Sequence, residues 1–170
     1  MYSFSAILHR PFHFPSNPQL LELLHREKWS PQFGLAAVVL VPTRELALQI
    51  FEVLRKIGHY HPFSAGLVIG GKDKDEEASR IAQMNILIAT PGRLLQHMSE
   101  TPEFEVKDVQ MVVIDEADLI MDPGFKRDMD AILEEMPKVC AEGDWEISKW
   151  IMKEREIIKY IKKEKEMLLV

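Results

Sequence analysis

Short apolar runs alternate with amphipathic stretches over most of this chain. Ala37–Val41, Leu67–Ile69, Ile86–Ala89 and Met111–Ile114 are rich in Val and Ile, too short for helices and bounded by turn or polar residues, so each predicts a buried strand. Between them, Arg44–Ile57, Lys74–Ala82 and Gly92–Met98 carry helix-like patterns, and a further helix is predicted over about Phe125–Met136. Strand alternating with helix predicts an α/β fold: an open, mostly parallel sheet with helices on both faces. Ligands of such sheets sit beyond the carboxyl ends of the strands, which directs attention to the residues after each apolar run.

The two ends of the chain differ from this rhythm. Residues 1–18 carry Pro11, Pro15 and Pro18 and read as an irregular segment, with Asn17 placed to cap a short helix bearing Leu20, Leu21, Leu23 and Leu24. Residues 19–138 form the α/β part. Residues 139–170 read as a helical tail, because Ile147, Trp150, Ile151, Ile157, Ile158, Ile161 and Leu168 recur at roughly helical spacing among Glu and Lys. This amphipathic helix, over about 145–168, is expected to pack on the domain or on a second copy. Its mixed charges read as a solvated face.

The strand ends carry the chemistry. Ala37–Val41 leads into Pro42-Thr43-Arg44-Glu45: proline stops the strand, Thr43 caps the next helix, and the helix start offers amides to an anion. The second run ends in Gly70-Gly71, which permits a tight turn or close approach to a ligand. The third ends in Thr90-Pro91-Gly92-Arg93, again with a capping hydroxyl and a basic residue in the first turn. The fourth ends in Asp115-Glu116-Ala117-Asp118, three carboxylates that repel one another without a cation, as in Mg²⁺ sites on phosphates.

Composition narrows the class. The 170 residues hold 21 Lys/Arg and 27 Asp/Glu for a net charge of -6, so any nucleic-acid contact is local rather than a property of the whole surface. The one cysteine, Cys140, excludes an internal disulfide and a cysteine-based zinc site. No run reaches the ~18 apolar residues of a membrane span, and the first residues lack the order of a secretory signal, so a soluble intracellular protein is expected. His9 and His13, with Pro11 between them, and His59 and His61 lack a third ligand, and Met111, Met121, Met129 and Met136 read as core filler.

Taken in order, PTRELA, GG, TPGR and DEAD resemble the first RecA-like domain of the DEAD-box ATP-dependent RNA helicases, from about Leu20 to Lys138. FEVLRKIG, FSAGLVIGGKDKDEEASRI and ATPGRLLQHM are similar to the nucleolar branch that acts in ribosome biogenesis and rRNA processing. The resemblance implies that Asp115 and Glu116 handle Mg²⁺ and the attacking water, with Asp115 holding the metal through water, and that Asp118 couples this site to neighbouring motifs. It implies that Pro42, Thr43, Arg44, Gly70, Gly71, Thr90, Gly92 and Arg93 line the RNA backbone path. Asp122, Gly124 and Phe125 match the segment that follows. ATP and Mg²⁺ are the implied cofactors, RNA is the implied partner, and nucleus or nucleolus the implied location.

Turnover also needs a phosphate cradle with its lysine. The one near match to G-x-x-x-x-G-K-[ST] is Gly66–Asp73, where the variable positions fall in a predicted strand and Asp73 replaces the Ser/Thr that would ligate Mg²⁺. No Ser-Ala-Thr motif follows Lys138, and no second RecA-like domain lies within the 170 residues. Three readings stay open here: a partial helicase, an RNA- or protein-binding remnant without turnover, and an incomplete gene model. The first prediction is that these 170 residues, purified, show no RNA-stimulated ATP hydrolysis. Phosphate release that disappears in Glu116→Gln would contradict it.

Overall fold

The computed structural model describes residues 16–26, 28–71, 73–102, 104–120, 122–136 and 150–152. Three of the predicted strands form where the apolar runs lie: β1 (Ala37–Leu40), β3 (Ile86–Ala89) and β4 (Met111–Ile114), each buried along its whole length. Burial on both faces is what a continuous Val/Ile/Leu run requires, and a parallel sheet with helices above and below supplies it. β2 covers Ala65–Val68, starting earlier than predicted, and is only half-buried over its first three residues. It lies at one edge in the order β2-β3-β1-β4-β5, with all four pairings parallel.

Among the described residues six α-helices surround the sheet: α1 (Ser16–Arg26), α2 (Arg44–Ile57), α3 (Lys74–Ile81), α4 (Pro91–Glu100), the single turn α5 (Ala117–Ile120) and α6 (Pro123–Glu135). Alternate strand residues feed two separate cores. On one face Val38, Leu40, Leu87, Val112 and Ile114 pack with Ile81, Leu94, Met129 and Ile132 from α3, α4 and α6. On the other, Ala37, Val39, Ile86, Ile88, Met111 and Val113 pack with Leu20, Leu21 and Leu24 of α1 and Ala47, Ile50 and Leu54 of α2. Burying one such aliphatic side chain is worth about 1.5–3 kcal/mol, and these two clusters supply most of the driving force. At the amino end of the sheet, buried Asn85 ties three loops together. Its Nδ2 donates to the carbonyls of Pro31 and Gly34, and its Oδ1 accepts from the amide of Ser64.

The tail departs from expectation. Trp150–Met152 is not helical; it forms strand β5, parallel to β4 with Val112 opposite Trp150 and Ile114 opposite Met152. The other residues of the expected helix, and residues 1–15, lie outside the described residues. The physical reason is the edge of β4: its unpaired amides and carbonyls are satisfied by a strand and not by a helix face. Deleting residues 145–170 therefore exposes the backbone edge of the most buried region. The expected result is a lower melting temperature together with larger species in size-exclusion chromatography. An unchanged monomer with an unchanged midpoint would show that β5 contributes nothing to the sheet.

Candidate nucleic-acid interface

The parallel register aligns four strand ends. Val68 pairs with Ala89, Ala89 with Leu40, and Leu40 with Ile114, so the segments that follow all emerge along one edge. There an open cleft of about 310 Å³ is lined by Pro42, Arg44, Gly70, Thr90, Gly92 and Arg93, joined by Gly124, Phe125 and Asp128 from the start of α6. Six of the eight residues assigned to an RNA path thus share one wall. Thr43 and Gly71 stand beside it: Thr43 Oγ1 accepts the amide of Leu46 at 3.2 Å and starts α2 as expected, while Gly71 turns the chain at φ 87°.

Arg44 explains the glycine pair. A Cβ built on Gly70 would lie 2.9 Å from Arg44 Nη2, and one on Gly71 would lie 2.7 Å from Nη1. The guanidinium thus lies over the turn, in space that any larger residue would take from it. Gly92 serves a similar end, since its Cβ would meet Asp128 Oδ2 at 3.1 Å where α4 passes α6. Thr90 differs from expectation. It makes no side-chain cap, its backbone is extended, and its amide is held in the sheet edge by the carbonyl of Val68.

Asp115 and Glu116, which follow β4, are not among the described residues that line the cleft. Asp115 is buried, and its Oδ1 accepts the amide of Glu116 at 3.1 Å. Glu116 is exposed with φ 50°, a left-handed backbone that costs a non-glycine residue of order 1 kcal/mol and is commonest at functional sites. The side chain of Asp118 lies outside the described residues. Asp115 and Glu116 suit the metal-holding half of an ATP site. The phosphate-holding half is not met among the described residues: Gly66–Val68 is strand, with a Gly66 Cβ only 2.9 Å from Leu87 Cδ2 and Met84 Cγ, and Asp73 caps α3 by accepting the amides of Asp75 and Glu76. No step through a triphosphate is derived from this arrangement. Among the described residues no three His, Cys, Asp or Glu converge on a metal position, and no helix is long and apolar enough to cross a membrane.

Behind the cleft lies a polar cluster that the sequence did not reveal. Glu77 of α3 is 8% exposed, and its Oε2 receives both Arg93 Nε at 2.8 Å and His97 Nε2 at 3.0 Å. His97 is fully buried, with Nδ1 2.7 Å from the Thr101 hydroxyl. Arg93 Nη1 also donates to Gln96 at 2.9 Å. The run Lys72–Glu77 reads as a solvated charge cluster, but Glu77 stands four residues before buried Ile81 and therefore on the same inward face. That spacing was the available signal. At the other end of α4, Lys74 and Gln96 hydrogen-bond Glu100 and hold its carboxyl below the ordinary value.

Comparison with known proteins assigns the arrangement. The DEAD/DEAH box helicase family matches residues 19–147. The chain belongs to that family. It is 62% identical over 119 residues to the ATP-dependent RNA helicase DBP4 of Mycosarcoma maydis, covering 70% of this chain and 13% of that protein. It is 64% identical over 118 residues to DBP4 of Yarrowia lipolytica, covering 69% of this chain and 16% of that one. The chain thus spans about a seventh of the length of these DEAD-box relatives. Among solved structures, Mss116p bound to ssRNA and AMP-PNP superposes with a TM-score of 0.61 at 31% identity, over 66% of this chain and 23% of that one. A hypothetical ATP-dependent RNA helicase from Sulfolobus tokodaii gives 0.65 at 29% identity, over 87% and 40%. The RecA-like fold of the DEAD-box helicases and its open parallel sheet are therefore present here.

The buried cluster generates a stability prediction. Removing one partner of a buried pair leaves an uncompensated charge, at a cost of about 3–5 kcal/mol. Glu77→Ala should therefore lower unfolding free energy by ~3 kcal/mol in urea, whereas Glu100→Gln should leave the midpoint where it was. Equal effects of the two substitutions would contradict the assignment of Glu77 as a core ion.

Proposed function

We propose that this chain is the part of a DBP4-like DEAD-box RNA helicase that holds one strand of RNA by its phosphates, with the work of the whole protein lying in nucleolar ribosome assembly. The observation that carries the reading is the cleft itself, in which three strand-end motifs and the start of α6 meet around the guanidinium of Arg44. Cationic side chains, glycine turns and helix starts are positioning elements: they bind phosphate oxygens and read no bases. The named relatives, ATP-dependent RNA helicases at about 60% identity, support the same substrate class, as does the RNA in the Mss116p structure. The role in ribosome assembly rests on the resemblance of the intervening segments to the nucleolar branch.

ATP hydrolysis belongs, in this proposal, to an assembly that supplies the phosphate cradle and the opposing arginines. Asp115 and Glu116 are this chain's contribution to it. The acidic total of -6 opposes RNA binding, so the affinity of these 170 residues alone is modest.

Fluorescence titration of a labelled single-stranded RNA at low salt tests the reading. Binding should be independent of sequence and should weaken about tenfold in Gly70→Ala, which displaces the Arg44 guanidinium while leaving the fold intact. Binding that discriminates between base sequences, or that is unchanged by Gly70→Ala, would refute contact through this cleft.

A further inference from the structure

The two arginines of the cleft are not equivalent. Arg44 is exposed, lies over a glycine turn, and makes no ion pair among the described residues. Arg93 is only 10% exposed, with Nε on Glu77 and Nη1 on Gln96. The counter-ion is itself locked. His97 Nε2 lies 3.0 Å from Glu77 Oε2, a carboxylate oxygen that accepts, and its Nδ1 lies 2.7 Å from the Thr101 hydroxyl. One carboxylate oxygen thus holds Arg93 and His97 together, four residues apart on one face of α4, against α3. The other oxygen, Oε1, is buried and has no hydrogen-bond partner among the described residues. Withdrawing Arg93 toward a phosphate would leave a buried carboxylate short of its counter-charge as well, which is the expensive half of breaking such a pair.

From this we infer that Arg93 is a positioning residue and not a phosphate ligand: its counter-ion is Glu77 with or without RNA, and the Glu77–Arg93–His97–Thr101 cluster fixes the start of α4 against the turn that carries Gly70 and Gly71. The inference rests on the RNA-contact reading above. It replaces, for Arg93, the expectation drawn from the resemblance that this residue lines the RNA backbone path, and it assigns the direct cation contact to Arg44. α3 begins three residues beyond Gly71, after the Asp73 cap, so the cluster ties the second strand-end motif to the third through four buried or nearly buried side chains.

The salt dependence of binding separates the two roles. Each cation contacting a phosphate of a single strand contributes about 0.7 to the slope of log K against log salt. Arg44→Gln should make the slope shallower by about 0.7. Arg93→Gln should leave the slope unchanged while weakening binding about fivefold at every salt concentration, and Glu77→Leu should do the same. Glu77→Gln keeps an acceptor for Arg93 and His97 and should restore affinity to within about twofold of the wild type. A slope shallower by ~0.7 in Arg93→Gln would overturn the inference. The wild-type Arg93 Nε–H resonance gives a second measurement that needs no variant: it should exchange slowly and stay in place when RNA is added, and a shift on titration would equally overturn the inference. If the wild type does not bind RNA, the proposed function fails. The pairing is then judged in the free protein, where slow exchange of that Nε–H, lost in Glu77→Leu, supports it and rapid exchange in the wild type refutes it.

Discussion

Everything in the cleft depends on four parallel strands stopping at one level. Val68, Ala89, Leu40 and Ile114 stand side by side at the carboxyl end of the sheet, fixed by backbone pairing from strand to strand. Register in a sheet buried on both faces is strongly specified, because a slip of one residue exchanges the two cores. Here that slip would send Val38 and Leu40 toward α2, and Val39 toward α4. The sheet therefore delivers three short motifs, distant in sequence, to one edge with no need for long loops. Glycines then set how closely their backbones approach one another and how the Arg44 guanidinium lies across them.

The same constraint explains which parts of the fold could be read from the chain. β1, β3 and β4 are continuous apolar runs because both of their faces are covered, and their limits fall within a residue of the sequence reading. β2 was harder because it is an edge strand containing Gly66 and is half-exposed, so its pattern starts before its strongest apolar residues. Trp150–Met152 was misread for a related reason. Its neighbours in sequence alternate charge with isoleucine at a helical period, yet the unpaired edge of β4 offers backbone hydrogen bonds that no helix face can satisfy. Tertiary demand overrode local pattern there.

The site was legible as motifs and illegible as a network. PTRELA, GG and TPGR are legible because they follow one another in order, each at a strand end where proline or glycine alone would signal only a turn, and the cleft brings them together. The roles of individual charges were not visible. Arg44 and Arg93 occupy comparable places at helix starts, and only burial separates them: one is exposed beside glycine, the other held by Glu77. Glu77 itself hides in an acidic and basic run in which Asp73, Asp75 and Glu76 are exposed, and the polar character of His97 gives no hint that it is completely buried. Asp128 likewise belongs to the cleft only because α6 folds back against Gly92.

The central claim of the proposed function is that RNA is held at the carboxyl edge of this sheet by backbone-directed contacts around Arg44. Mapping amide resonances during titration with a short single-stranded RNA tests it most directly. The account predicts shifts concentrated at Arg44, Gly70, Gly71, Gly92 and Phe125, with the α1 and α2 outer faces silent. Shifts centred on the opposite edge near Asn85, or on the outer face of α2, would contradict it.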